Sequence, residues 1–433
     1  MKDIKEIAKF TLSALQKAGA DQASCLVSRG LAREITVDGG EINLMRSLFN
    51  NSVSMKVIKD GKKGVIAINK IDEEDITQAA ASCVEAAQAS VEDDAVSISP
   101  LTENADFETG VLEPDIDKLL TRLTEYIDNI GTEFPKIILE QIIAYHVSSE
   151  LCLANTNGVV YTHKNGNYSL SSMFSAHEGD CSTSFNSYGF DFLKLDSPLL
   201  DHGIQREVYR RSERELHSVP FDKKFVGKVL LSPDCFGEFV STALDNFLGD
   251  TTIIDGTSPW KNSLGCMVAS EKLSISAIPL DENMIGTERI HTDGYISQNF
   301  DYIRNGKLVC FGLSEYAARK TGNERGLNSS SSIGIAHGDT NLEDMIKDID
   351  LGIFVCRFSG GAPAVNGDFS GVAKNSFLIE NGKITTALSE TMISGNLADM
   401  FNNIVAISKE TVCDGSSILP YATIDQITIS GSC

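Results

Sequence analysis

The chain predicts an α+β protein with an N-terminal helix-strand-helix module, an antiparallel β meander and a large mixed β-rich C-terminal domain. Three observations carry this. Apolar residues recur at helical spacing at the start of the chain and again over residues 73–89. Runs that alternate apolar and polar residues dominate the middle. Short strand-like runs punctuated by glycine fill much of the remainder. With 433 residues the chain exceeds the roughly 250–300 that one core supports. Domains are expected at 1–112, 113–222 and 223–433, the first ending in a linker.

Taken in order, Ile4, Ile7, Ala8, Leu12 and Leu15 define an amphipathic helix that stops at Ala18-Gly19-Ala20. SCLVSR, REITVDGG and NSVSMKVI read as strands with turns at Asp38-Gly39-Gly40 and Asp60-Gly61. A second helix covers 73–89. The acidic, Pro100-containing stretch 90–113 reads as a linker or surface loop. A helix over 115–130 precedes strands in which Asn157-Gly158, Asn165-Gly166 and Gly179-Asp180 supply turn residues. A helix over 201–216, laced with Arg and Glu, leads to Pro220 and the apolar run KVLLS. Beyond it come a helix after Ser232-Pro233 and the strands LGIFVCRF, SFLIE and ITTAL.

Composition narrows the function. The formal net charge of −23 repels phosphate backbones and anionic lipid heads, so direct nucleic-acid binding is disfavoured. Charges at Lys2, Asp3, Lys5, Glu6 and Lys9 interrupt any signal-peptide core, and nothing reaches the roughly 18 apolar residues of a membrane span. A cytoplasmic protein is expected. Ten cysteines without a C-x-x-C pair argue against both a disulfide framework and a zinc ribbon.

The usual catalytic motifs are missing. There is no phosphate-binding G-x-x-x-x-G-K-[ST] and no G-x-S-x-G elbow. None of the seven histidines pairs with another four residues away, as a helical metal site requires. His177-Glu178-Gly179-Asp180-Cys181 reads as an exposed hairpin before it reads as a metal site. The glycines at Gly360-Gly361, Gly367, Gly371 and Gly395 mark tight turns or close backbone approach.

Two long blocks in the last third resemble a known family. GTERIHTDGYISQNFDYIRNGKLVCFGLSEYAARKTG (286–322) is similar to the block of the TldD/PmbA family in which an IRNGKL run leads to an S-Y-ARK-G helix. GGAPAVNGDFSGVAKNSFLIENGKITTALSETMISGNLADMFNNI (360–404) resembles the block that follows it. With the order of the earlier modules, the resemblance spans nearly the whole chain.

Members of the TldD branch hold zinc with an H-E-x-x-x-H helix and a later cysteine. The corresponding helix here, SPDCFGEFVSTALDNFLGD (232–250), contains no histidine. The family's histidine positions fall near Val240 or Ser241 and at Asp245, and its cysteine falls at Cys413. The resemblance therefore implies the PmbA (TldE-like) branch: no catalytic residue, no metal and no cofactor in this chain, with Asp245 and Cys413 as vestigial metal positions. It further implies a heterodimeric peptidase in which a TldD-like metallopeptidase partner supplies zinc, or dimerisation in some form. Peptide binding is expected at Gly360, Gly361, Gly367, Asp368, Phe369 and Gly371, where exposed backbone can pair with an extended strand. Two alternatives stand beside this reading. One is a stand-alone peptidase assembled from His177, Glu178 and Cys413. The other is a regulatory protein acting on DNA gyrase, a description the family also carries.

Overall fold

The computed structural model describes residues 3–328 and 332–431. Helix α1 (Ile4–Lys17) starts where the Asp3 carboxylate accepts the Lys5 N–H at 2.7 Å, and it buries Ile4, Ile7, Ala8, Ala14 and Leu15 along one stripe. Strands β1 (Gln22–Asp38), β2 (Glu41–Lys59) and β3 (Lys62–Ile68) follow as an antiparallel meander. The expected SCLVSR and REITVDGG strands are one strand, because Gly30 between them keeps its place in the ladder opposite Asn50. Helix α2 (Glu73–Ala89) lies on β3 so closely that a Cβ on Gly64 would sit 2.1 Å from the Cys83 carbonyl.

The acidic stretch expected to be a linker contributes β4 (Ala105–Gly110), an edge strand parallel to β6. Helix α3 (Ile116–Glu133) leads to β5 (Ile137–Asn155), β6 (Val160–Glu178), β7 (Cys181–Ser182) and β8 (Asn186–Phe192). The sheet runs β3-β2-β1-β5-β6-β4 with β8 on β6, so strands from both sides of residue 112 share it. Asn165-Gly166 is not a turn but lies inside β6; a Cβ at Gly166 would meet the Val111 carbonyl at 2.0 Å. Gly179-Asp180 does turn a hairpin, with His177 opposite Ser182.

One face of β1 serves two cores. Cys25 and Val27 pack under α1 and α2, while Ile35 and Val37 pack under α3. Helix α4 (Gln205–Glu215) completes the second core, where the Tyr126 hydroxyl donates to Gln205 Oε1 at 2.7 Å and lies 2.6 Å from the Tyr209 hydroxyl.

The second lobe is built from β9 (Lys224–Leu231), α5 (Pro233–Ala243), α6 (Asp250–Ile254), α7 (Glu315–Thr321), β10 (Leu351–Ser359), β11 (Asp368–Glu380), β12 (Met392–Asn396), β13 (Ile404–Cys413) and β14 (Ser417–Ser430). Strands β9, β10, β11, β12 and β14 pair in that order, and β14 pairs back to β9, so the sheet closes on itself. Its core holds Phe236, Phe239, Phe247, Trp260 and Phe401. Among the described residues no helix is long and apolar enough to cross a membrane. The α+β architecture expected from the sequence is the one observed.

Several contacts join the lobes, among them the apolar packing of Ile290 and Ile296 on Leu153 and Tyr161 and two polar sets. Arg214 of α4 donates to the Thr385 carbonyl at 2.8 Å and lies over the Phe377 ring, while the Asp191 N–H of β8 donates to the Asp414 carbonyl at 2.8 Å. At the other end, Asp93 accepts the Tyr316 hydroxyl at 2.8 Å and pairs with Lys320 at 2.9 Å. The conspicuous charged residues of the YAARK run thus hold the first lobe to the second.

Candidate functional site: a cleft along the third-segment helix

Helix α5 is fixed at its start by Ser232, whose hydroxyl accepts the Cys235 N–H at 3.4 Å and donates to the Cys356 carbonyl at 3.1 Å, and by Pro233 at the first helical position. Cys235, Phe236, Phe239, Val240 and Ala243 face the core. Gly237 lets the helix approach β14, since a Cβ there would lie 2.5 Å from Leu419. Asp234, Glu238 and Thr242, each one turn further along, are left on the outer face.

That face forms the floor of a cleft between the lobes. At the N-terminal end of α5 is a cavity of about 290 Å³ lined by Asn186 and Tyr188 of β8, Arg211 of α4, Asp234 and Glu238 of α5, Cys356 and Arg357 of β10 and Asn375 of β11. Beyond Glu238 a smaller apolar notch of about 70 Å³ is formed by Phe239, Thr242, Phe358, Gly360, Ala362 and Pro363.

Of the cavity's two cations, Arg211 is committed to the protein and Arg357 only in part. Arg211, only 6% exposed, donates to Glu207 and to the Cys356 sulfur at 3.4 Å, and stacks over the Phe354 ring at 4.7 Å. Arg357 donates to the Phe185 carbonyl at 3.0 Å, and its buried Nε has no hydrogen-bond partner among the described residues. The side-chain carboxylates of Asp234 and Glu238, by contrast, accept no hydrogen bond and form no ion pair among the described residues, although the Glu238 carbonyl accepts the Thr242 hydroxyl at 2.8 Å. Asp234 is exposed and lines the cavity. Desolvation, with Asp414 nearby, raises its carboxyl above the ordinary value against the pull of Arg211. Desolvation likewise raises Glu238, opposed by Arg357. The Cys356 thiol is pushed up to about 12 by burial and is inert as a nucleophile.

Asn375 occupies the left-handed region at φ 51° in the middle of β11, where the pairing to β10 skips Cys356 and Asn375. Its amide donates to Asn186 Oδ1 across the lobe boundary. Such strain inside a strand, at the wall of a cavity, is the kind found at functional sites.

The glycine loop expected to bind peptide adjoins this cleft, but not as an open strand. Gly361 and Gly371 are needed for backbone packing: a Cβ on either would come within 1.8 Å of the Ser370 or Gly360 carbonyl oxygen. Residues 368–372 pair with β12 on one side, and β10 closes the other side as far as Ser359 opposite Val372. Asp368, Phe369 and Gly371 thus have one edge taken by β12, while their other edge lies beyond the β10 ladder, against the 360–364 loop, where the Ala364 N–H donates to the Asp368 carbonyl. Phe369 is buried against Phe239 and Phe358, Asp368 accepts the Asn396 amide at 2.9 Å, and Gly367 at φ 90° packs on Phe247. What the loop offers is the wall of the notch, through Gly360, Ala362 and Pro363.

Of the two vestigial metal positions, Asp245 is exposed in a π-helical turn (Leu244–Leu248) that follows α5, and Asn246 beside it holds the loop through the Pro363 carbonyl at 3.0 Å. Cys413 ends β13 with its thiol 3.8 Å from the Asn283 carbonyl, and desolvation raises its pKa. Val240 is buried and Ser241 exposed. A peptidase zinc needs three protein donors around one ion. None of the seven histidines lies on α5. Among the described residues no group of three or more His, Cys, Asp or Glu side chains is placed to hold a metal. The residues along α5 do not fit a zinc ion. Nor are His177, Glu178 and Cys413 brought together: His177 bonds Ser175 at 2.9 Å, Glu178 pairs with Lys136 at 2.8 Å and His217 at 3.2 Å, and Cys413 faces Asn283.

The cavity itself escaped the sequence reading. Asn186, Arg211, Asp234, Arg357 and Asn375 come from separate segments, none with a motif. Two signals were available: the 232–250 helix, which the family resemblance singles out and which carries Asp234, and Asn375, a turn-prone residue inside the run AKNSFLIE.

Comparison with known proteins places the chain. Residues 225–431 match the PmbA/TldA metallopeptidase C-terminal domain, and residues 23–88 match domain 1 of the same family. A metalloprotease of Methanocaldococcus jannaschii is 25% identical over 422 residues, covering 90% of each chain. The metalloprotease PmbA of Escherichia coli O157:H7 is 28% identical over 288 residues, 62% of this chain and 61% of that one. In structure, TldE from Thermococcus kodakarensis superposes with a TM-score of 0.84 at 19% identity, covering 98% of this chain and all of its own. A Bacteroides thetaiotaomicron protein described as a candidate modulator of DNA gyrase does so at 0.82 and 20% identity, covering 99% of each. On these matches the chain belongs to the PmbA/TldD family.

Proposed function

We propose that this chain is the noncatalytic, TldE/PmbA-like subunit of a heterodimeric zinc metallopeptidase, binding peptide in the cleft along α5 while a TldD-like chain supplies the metal and the hydrolytic water. The observation that carries this is the outer face of α5: Asp234, Glu238, Ser241, Thr242 and Asp245 without an imidazole, and Cys413 turned to Asn283. One or two carboxylates and a protonated thiol do not lower the pKa of a zinc-bound water, because they do not assemble the ion. The cleft supports the binding half of the reading. It lies at a lobe boundary and combines a polar cavity with an apolar notch, as ligand sites do.

The test is to purify the chain without chelators, measure its zinc by elemental mass spectrometry, and assay hydrolysis of a mixed peptide library with and without a TldD-like metallopeptidase chain. Substoichiometric zinc, no cleavage alone and cleavage on adding the partner are expected. Hydrolysis by the isolated chain that a chelator abolishes would overturn the assignment.

A further inference from the structure

We propose that the free edge of β2, residues 42–52, pairs with the same edge of a second copy of this chain, joining two first-lobe sheets into one across a two-fold axis at Ser47. The inference stands apart from the subunit assignment, since none of these residues lines the cleft along α5.

Strand β2 pairs with β1 from Glu41 to Ile58, but β3 covers its outer side only from Val53 to Lys59. Among the described residues no strand pairs with 42–52 on that side. The N–H and C=O groups there that point away from β1 are open to another strand. Residues 41–50 are all exposed, and they include Ile42, Leu44, Met45, Leu48 and Phe49, the last 78% exposed. Alternation puts Met45 and Phe49 on the face of Ile35, and Leu44 and Leu48 on the other. A strand bordering solvent ordinarily has one apolar face, toward its core. One that is apolar on both faces, with no Lys or Pro to blunt it, is an association site. Arg46, its one charged residue, is tied to Glu34 of β1 at 2.9 Å.

A second copy fits this edge in length, in side chains and in charge. With the axis at Ser47, residues 42–52 of one copy lie antiparallel to 52–42 of the other, so the pairing uses the whole edge and stops where β3 begins. Met45 then stands opposite Phe49 of the second copy, extending the row that Ile35 starts. On the other face Leu48 meets the stem of the second copy's Arg46, whose head stays on its own Glu34. Moving the axis to Arg46 would set two guanidinium groups together, and moving it to Met45 would put Phe49 against Glu41 and leave 50–52 unpaired. Two chains of net charge −23 repel, and 42–52 is a strip without Asp or Glu along which they can approach. Eleven residues from each copy is about half of the roughly 20–30 a side in a standard interface, so a reversible dimer is expected, with Kd in the micromolar range.

The experiment is sedimentation velocity on the full chain alone, from about 1 to about 100 µM, a range that brackets such a dimer. The average mass should rise from one chain toward two. Kd should fall as salt is raised from about 0.01 to about 0.15 M, because the Debye length shrinks from about 30 to about 8 Å and screens the repulsion between the chains. The double variant M45K/F49K places charges in the apolar row and should weaken association at least about tenfold. Register is read by oxidation: Ser47→Cys meets itself at the axis, at a Cα separation of about 4.5–5.5 Å that a disulfide spans. Asn43→Cys lies eight residues from its own copy, about 26 Å along the strand, and should form no such bond. The exposed Cys181, Cys266 and Cys413 of the parent chain set the background.

A single-chain mass throughout the range overturns the proposal. So does a dimer that M45K/F49K leaves intact and that Ser47→Cys links no faster than Asn43→Cys. A chain that is monomeric alone but loses a TldD-like partner in M45K/F49K also overturns it, giving the edge to that partner. The cysteine comparison decides even where the lysine variant fails to fold, and the subunit assignment is judged separately by the reconstitution assay.

Discussion

Glu215 at the end of α4 is the residue whose environment makes the sharpest demand. Its Oε1 is buried without a hydrogen-bond partner among the described residues, and desolvation pushes its carboxyl from 4.5 up to about 7 against the pull of Asn186, Arg357 and Arg211. Between those two values the folded chain keeps a proton that the unfolded chain has released. Stability from this group is therefore full below the lower value, falls as pH rises through the window and is level above it. The Glu215→Gln variant removes the proton from the balance. It should gain on the parent chain by about 2 kcal/mol between pH 5 and pH 8 in urea unfolding. A stability difference that stays constant across that range would show that the carboxyl titrates normally. Asn375 makes a second demand at the same wall. Asn375→Ala should cost about 2 kcal/mol, from left-handed strain and the lost bond to Asn186, and Asn375→Gly about half of that because only the bond is lost.

Among the elements, the loop between β10 and β11 shows what glycine tells a reader and what it conceals. Repeated glycines with few side chains correctly announce close backbone approach, and Gly361 and Gly371 are indeed pressed against carbonyl oxygens. They do not say whether the approaching backbone belongs to a ligand or to the protein; here it is the protein's own. Alanine at Gly361 or Gly371 should therefore destabilise the chain by about 2–3 kcal/mol, through forced separation of β11 from the loop. Alanine at Gly179, a left-handed hairpin position with nothing within 4 Å of its Cβ, should cost only about 1 kcal/mol. Equal losses at Gly361 and Gly179 in the same unfolding assay would mean that the loop relaxes freely. The helices and the Gly179-Asp180 hairpin were legible because periodicity and turn residues act locally, whereas Asn165-Gly166 misled because its glycine serves close packing on Val111 inside β6. The merging of two expected strands into β1 was not legible, since it depends on Gly30 finding Asn50 in another strand.

At the scale of the whole molecule, the same limit explains why the cleft was invisible and the family blocks were not. A block of contiguous sequence survives as a pattern, whereas a cavity drawn from β8, α4, α5, β10 and β11 has no pattern until the lobes dock. Docking in turn depends on residues that composition misjudged. The acidic stretch after α2 looks like a solvated linker, yet Asp93 within it accepts from Tyr316 and pairs with Lys320, while the Asp94 carbonyl accepts from Arg319 at 3.2 Å and Lys63 of β3 lies 4.9 Å from the Tyr316 ring centre. Lys320, the Ala95 N–H and Tyr316 together hold the Asp93 carboxyl down at about 2, so this clasp stays charged throughout the neutral range. The YAARK run then serves the geometry between lobes. Replacing Asp93 by Ala should release that end of the boundary alone. In hydrogen–deuterium exchange, amides of residues 93–96 and of α7 should exchange faster, while β1 and β5 in the middle of the first sheet keep their protection. Peptide affinity should fall less than it does for changes at Asp234 or Glu238, because Asp93 does not line the cavity. Unchanged exchange in α7 would mean that apolar contacts alone hold the lobes, and the charged residues of the run would need another explanation.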